Sequence, residues 1–214
     1  TGTLVSPTVV LTAAHCVDGI TANTVGFGVN GQSTPVQVRQ QVYHPNWNGN
    51  NLSAGNDIAV LILANAVSGV TPIPVATDTS LGRAGQTVRI VGYGNNSTAG
   101  TGFGTKRQAT LQAASISSSD GVSENRFVKV GNSAGTQTCN GDSGGPVFHT
   151  SGGVERVVGV TSYGYVGCRG GAFHSRVAAY TSFLDDYIDL TGGGDGDGDG
   201  DGDGDGDGDT EAPS

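Results

Sequence analysis

Ser143 stands in the run Thr138–Cys139–Asn140–Gly141–Asp142–Ser143–Gly144–Gly145–Pro146. Glycines on both sides can take backbone conformations closed to other residues, so this stretch is able to aim several peptide N–H groups at one point. An alcohol nucleophile needs such a cradle, because attack on a carbonyl builds an oxyanion that fixed donors must stabilise. A serine hydroxyl is a weak nucleophile until an adjacent base takes its proton. That base is served by a histidine held in turn by a carboxylate. Of the four histidines, His15 lies in Leu11–Thr12–Ala13–Ala14–His15–Cys16, where small neighbours leave room for an imidazole to face a cleft. His44 precedes Pro45 in a loop, and His149 and His174 fall among surface-like residues. Asp57 opens Asn56–Asp57–Ile58–Ala59–Val60–Leu61, where an acid at the mouth of a buried run can orient an imidazole or serve only as a turn residue.

The elements that must position these groups read as short strands. Leu4–Val5 and Val9–Val10–Leu11 flank Ser6–Pro7, a strand–turn–strand pattern. The segment 36–42 partly alternates and is expected as a half-buried strand, while 58–63 is a short, β-branched apolar run expected as a buried strand. Strands are also expected over 87–91 and 157–162, and a surface loop over the Gly/Asn/Ser/Thr-rich residues 95–105. The period changes at Val177, Tyr180, Leu184, Tyr187 and Ile188, which share one face of a helix over 177–190 while Asp185, Asp186 and Asp189 lie elsewhere. The body is rich in Val, Ser, Thr, Gly and Ala, which gives an all-β class.

Beyond Thr191 the chain is Gly and Asp and little else. Nine of the 19 acidic groups lie there (Asp at the odd positions 195–209, and Glu211), leaving ten against ten Lys and Arg in the body. The net charge of −9 is therefore a property of the tail, and the body lacks the clustered basic charge of a nucleic-acid binder. Asp-x-Asp-x-Asp-Gly opens an EF-hand loop, but that loop needs a bidentate Glu at its twelfth position. Registers from Asp195, Asp197 or Asp199 end on Gly206, Gly208 or Thr210 instead. The tail 191–214 is expected to be a disordered, self-repelling linker with further domains beyond it. No apolar run approaches the roughly 20 residues that span a bilayer, and no metal site follows from the spacing of Cys and His. Three cysteines (Cys16, Cys139 and Cys168) leave one without a partner in this segment, and the sequence does not say which two pair.

Taken together, these stretches resemble the trypsin/chymotrypsin family of serine proteases. Leu11–Cys16 matches the motif around its catalytic His, Asn56–Leu61 resembles the segment around its catalytic Asp, and Thr138–Pro146 matches the motif around its nucleophile. The order His, Asp, Ser agrees, and the match covers nearly the whole of residues 1–190. The resemblance implies two six-stranded antiparallel Greek-key barrels, over about 1–80 and 81–176, with a C-terminal helix at 177–190 and the first barrel lacking its opening strand. It implies a Ser143–His15–Asp57 triad that hydrolyses peptide bonds through an acyl-enzyme, with an oxyanion hole at the N–H groups of Gly141 and Ser143. Ser162, Tyr163 and Gly164 would bind the substrate main chain by strand addition, and Gln137 would form an uncharged pocket floor. Gly164, with Gly171 or Ala172 on the other wall, would leave the pocket open. Cys139 and Cys168 would be bridged, and Cys16 would pair with a residue ahead of Thr1.

The resemblance further implies a secreted, extracellular monomer made as a zymogen, acting on polypeptides with no cofactor, nucleic acid or membrane. Asp142 would form the activation ion pair with a newly cut amino terminus. Residues 1–214 alone, beginning inside an apolar run as though cut from a longer precursor, would have little activity, and the full processed protein would be active. Two rival readings remain: a catalytically inactive protease homologue acting as a binding module, and an unrelated esterase. Gly141–Asp142–Ser143–Gly144–Gly145 also fits the loose Gly-x-Ser-x-Gly pattern of an esterase, but His comes first in this chain and no βαβ alternation appears.

Overall fold

The computed structural model of the chain describes residues 1–190 apart from 32, 98 and 132–134; the linker expected over 191–214 lies outside the described residues. Strands β1 (Thr3–Ser6), β2 (Val9–Thr12), β3 (Thr24–Val25), β4 (Val36–Tyr43) and β5 (Ala59–Leu63) form an antiparallel sheet in the order β1-β2-β5-β4-β3. This five-stranded, unclosed sheet is a half-barrel. Strands β6 (Thr87–Gly92), β7 (Arg107–Ala114), β8 (Phe127–Val130), β9 (Pro146–Ser151), β10 (Val154–Gly164) and β11 (Ala172–Arg176) form a closed barrel in the order β10-β11-β8-β7-β6-β9. The β9–β10 hairpin turns on Gly152 and Gly153, with φ of 60° and 80°. A two-residue turn with both φ values positive matches the right-handed twist of its strands, and glycine takes it without strain.

Alternation along the strands distributes the apolar side chains between three cores. From β5, Ala59, Leu61 and Leu63 pack with Leu4, Val10 and Val17 on one face of the first sheet, while Val60, with Ile58 just ahead of the strand, packs the other way in the core that holds Val157, Val160 and Leu184. Both faces of β5 are covered, so its sequence is a continuous apolar run rather than an alternating one. The second barrel is filled by Val88, Ile90, Val128, Val130, Val147 and Val158. Leu11, Ile58 and Val60 are fully buried in the core between the two sheets, each burial favouring the closed arrangement by about 1.5–3 kcal/mol before entropic costs.

The C-terminal helical element is shorter than the sequence period suggests. A 3₁₀ turn at Val177–Ala179 leads to α1 (Thr181–Leu184), followed by a turn over 185–187 and irregular chain to Leu190. The apolar face is kept, since Val177, Tyr180, Leu184 and Ile188 all enter the inter-sheet core with Tyr187 packed against it. The acids Asp185, Asp186 and Asp189 stand where a helix C-terminus disfavours negative charge, which ends the regular helix early.

Candidate active site

β2 ends at Thr12, and the chain passes Ala13 and Ala14, both without exposed surface, into a 3₁₀ turn at Ala14–Cys16 that carries His15. Any larger residue at 13 or 14 would meet the packed core. Asp57, also without exposed surface, comes just ahead of β5. The residue before it, Asn56, has φ of 65°, a conformation that asparagine tolerates better than most residues with a side chain. Three contacts hold Asn56. Its N–H donates to Tyr180 Oη at 2.8 Å, its Oδ1 accepts from Arg126 Nη1 at 2.9 Å, and its Nδ2 donates to the Asn46 carbonyl at 3.0 Å.

The Asp57 carboxylate is fully engaged. Oδ1 accepts the His15 peptide N–H at 2.9 Å, and Oδ2 accepts the His15 Nδ1–H at 2.7 Å and the Ser162 hydroxyl. Ser175 Oγ donates to the Asp57 carbonyl at 2.8 Å. The ring of His15 is thereby fixed with Nε2 as the nitrogen left for other work. Burial works against its charged form, but the hydrogen bond that His15 donates to Asp57, with help from Cys16 and the charge of Asp57, raises the His15 pKa to about 10. Cys16 Sγ lies 3.7 Å from His15 Nε2. Burial favours the neutral thiol, and the His15 contact outweighs it, so the Cys16 pKa is lowered.

Ser143 sits on a tight turn leading into β9. Gly141 and Gly144 have φ of 93° and 76°, open to glycine alone without strain. A Cβ on Gly144 would stand 2.2 Å from Thr12 Oγ1, so the turn presses directly on the end of β2. It is also stitched to β10, with Gly144 N–H donating to the Thr161 carbonyl and Thr161 N–H to the Gly145 carbonyl, both at 2.8 Å. The Thr1 nitrogen donates to the Ser143 carbonyl at 2.9 Å. Among the described residues the peptide N–H groups of Gly141 and Ser143 have no partner, and neither has Ser143 Oγ. Asp142 points back into the protein, where Oδ1 accepts from Gly94 N–H and Oδ2 from Cys139 N–H, both at 2.8 Å.

Ser143 lines a cavity of about 270 Å³ together with Gln137, Ser162, Tyr163 and Gly164. Gln137 Oε1 accepts the Gly171 N–H at 2.6 Å, and Gly164 pairs with Ala172 across β10 and β11, so it is Ala172 that faces Gly164. Cys139 and Cys168 are disulfide-bonded with a Cα separation of 5.2 Å, and Cys16 is a free thiol in this chain. Closing a loop of 29 residues restricts the unfolded chain by about 3–4 kcal/mol. The structure thus brings His15, Asp57 and Ser162 into contact, and Ser143 lines a cavity that Ser162 also lines.

The family model described as Trypsin matches residues 1–184. The chain belongs to the trypsin family. Among its curated relatives, Chymotrypsin-like elastase family member 1 of Bos taurus is 34% identical over 206 residues, covering 87% of this chain and 77% of the relative. The Macaca fascicularis protein of the same name is 35% identical, with the same coverage. Brachyurin of Leptuca pugilator is 30% identical, covering 89% of this chain and 87% of the relative. The part matched as trypsin-like takes in every residue of the cluster around Asp57. No helix among the described residues is long and apolar enough to cross a membrane.

Three members of this trypsin-family site are not apparent from the sequence in the positions they occupy. Ser162 is expected only along the substrate strand, yet its hydroxyl reaches Asp57 across 105 residues of chain. Ser175 reaches the Asp57 carbonyl across 118. His174, expected among surface-like residues, is wholly buried, and its Nδ1 lies 3.1 Å from Thr161 Oγ1. Thr161 Oγ1 donates to the Gly145 carbonyl, so the hydroxyl accepts from His174 Nδ1–H and the imidazole is neutral in that tautomer. β-strand periodicity was the one available signal: His174 lies two residues from Ala172, on the same inward face of β11.

Proposed function

We propose that the chain is a serine endopeptidase that cleaves peptide bonds through Ser143, His15 and Asp57. The observation that carries this reading is the buried Asp57 carboxylate bonded to His15 Nδ1 at 2.7 Å, in a trypsin-family chain whose Ser143 lines the adjoining cavity. In the reaction, Ser143 Oγ attacks the substrate carbonyl while His15 Nε2 takes its proton, and Asp57 stabilises the imidazolium that forms. The N–H groups of Gly141 and Ser143 receive the oxyanion. The C–N bond then breaks as His15 passes the proton to the departing amine, leaving an ester on Ser143. Water, deprotonated by the same His15, hydrolyses that ester and restores the hydroxyl. The substrate main chain lies against Ser162–Gly164 at the end of β10, with the side chain before the cleaved bond over Gln137.

In the same reading the protein is a secreted zymogen, acting outside the cell as a monomer. Asp142 is the group that accepts a newly cut amino terminus, exchanging main-chain donors for an ammonium. The test is labelling of the intact protein with a fluorophosphonate, alongside hydrolysis of a peptide amide. Ser143→Ala is expected to abolish labelling and to lower kcat by about 10⁶-fold, since the three groups act as a unit. A wild-type protein that is folded, fully processed and inert to the reagent would favour the inactive binding-module reading instead. Labelling that survives in Ser143→Ala would place the nucleophile elsewhere.

A further inference from the structure

Asp120 lies in a 3₁₀ turn, Ser118–Asp120, away from the catalytic cluster, and its side chain is 3% exposed. Its carboxylate has four donors. Oδ1 accepts from Lys129 Nζ at 2.7 Å and from Tyr165 Oη at 2.8 Å, and Oδ2 accepts from the Ser117 N–H at 2.7 Å and the Ser117 hydroxyl at 3.0 Å. Lys129, on β8, is itself largely buried and places its ammonium 5.6 Å from the centre of the Phe173 ring on β11. Tyr165 follows directly on Gly164. Its ring meets Phe173 edge-on at 5.7 Å, its carbonyl accepts the Cys168 N–H at 3.2 Å, and almost half of its surface stays open to solvent. Tyr165 and Cys168 are also in the lining of the cavity that Ser143 opens onto. One desolvated carboxylate therefore joins the turn, the barrel and the cavity wall. A buried acid is kept in such a place only while its donors are.

Resting on the endopeptidase reading, we propose that Asp120 is a positioning residue for substrate recognition: it fixes Tyr165, and with it the wall that receives the peptide residues preceding the cleaved bond. Asp120 touches neither substrate nor the reacting atoms, so chemistry at Ser143 itself does not depend on it. A long peptide, which must lie along Gly164 and the Tyr165 ring, does.

The test uses the intact protein and compares a substrate with four residues before the scissile bond, a substrate with one, and fluorophosphonate labelling. With Asp120→Asn, KM for the long substrate is expected to rise about tenfold with kcat little changed, the effect of losing charged hydrogen bonds at one anchor. The short substrate and the labelling rate are expected to move less than twofold. Tyr165→Phe removes only the Oη contact and leaves Lys129 paired with Asp120, so it carries the test should Asp120→Asn fail to fold; its KM is expected to rise about threefold. The double variant is expected to be no worse than Asp120→Asn, because both changes cut the same contact. An equal loss on long and short substrates, or an unchanged KM on the long one in both variants, overturns the proposal and leaves the endopeptidase reading standing. Wild-type protein that never labels overturns both.

Discussion

Gly92→Ala probes the ground under the proposed nucleophile without touching it. Gly92 ends β6 and does not have a positive φ, so alanine meets no backbone strain there. The whole effect is steric. An added Cβ would lie 1.9 Å from Asp142 Oδ1, 2.6 Å from its Cγ and 3.1 Å from its Cβ. Asp142 must move, and moving releases the Gly94 and Cys139 N–H groups together. Hydrogen bonds to a charged group contribute about 1.5–3 kcal/mol each. Because Asp142 is only half-buried, the lower end applies, giving a loss of about 3–4 kcal/mol. In a body of this size that corresponds to a Tm lower by about 6–16 °C. Ser143 is the next residue, so its fluorophosphonate labelling should slow at least about tenfold, more than stability alone predicts while the variant remains folded. Thermal unfolding and labelling of the same sample check both numbers. A Tm within about 2 °C of wild type with unchanged labelling would show that the Asp142 carboxylate does not hold the loop.

The raised pKa of His15 has a consequence in each direction. As the proposed base it must be neutral, so kcat/KM should climb with pH to a midpoint above the ordinary 6.5. The same shift favours the fold below about pH 6.5 and that advantage disappears as pH rises toward about 10, visible as a falling urea midpoint on the alkaline side. His174 does the opposite, because burial pushes its pKa down to about 3. Its contribution is complete above pH 6.5 and drains away as the solution is acidified, so His174→Phe should lose less stability than wild type between pH 7 and pH 4. Tyr180→Phe strands the Asn56 N–H and should cost about 1–3 kcal/mol in denaturant unfolding. Its kcat should fall with it, since Asn56 carries Asp57; a variant of native stability would mean that water replaces the phenol.

How much of this was legible in the sequence depended on the range of each interaction. The neighbourhoods of His15, Asp57 and Ser143 show locally, because the small residues and glycines that give those side chains room are their chain neighbours. β5 shows as a buried strand because both faces are covered along a short β-branched run. The supports of Asp57 do not show. Ser162 and Ser175 look like any strand serines until the barrel places one against the Asp57 carboxylate and the other against its carbonyl. His174 carries only the faint local mark of its two-residue spacing from Ala172, since it is β11's partners in the closed barrel that exclude water from it. The regular helix over 177–190 failed for the reverse reason: its apolar period was correctly legible, but the acids along its other face weakened a helix whose packing needs only the contact residues.

Asp57 belongs by chain to the first sheet, yet two of its hydroxyl partners, Ser162 and Ser175, come from the second barrel. The acid is a rivet through the seam. A chimera that joins the front half of this protein to the rear half of another must therefore inherit hydroxyls at both places, or the imidazole will be seated by a carboxylate that has lost its mooring. Exchange of halves must match not only the shared apolar core but two small side chains that never meet the substrate's scissile bond.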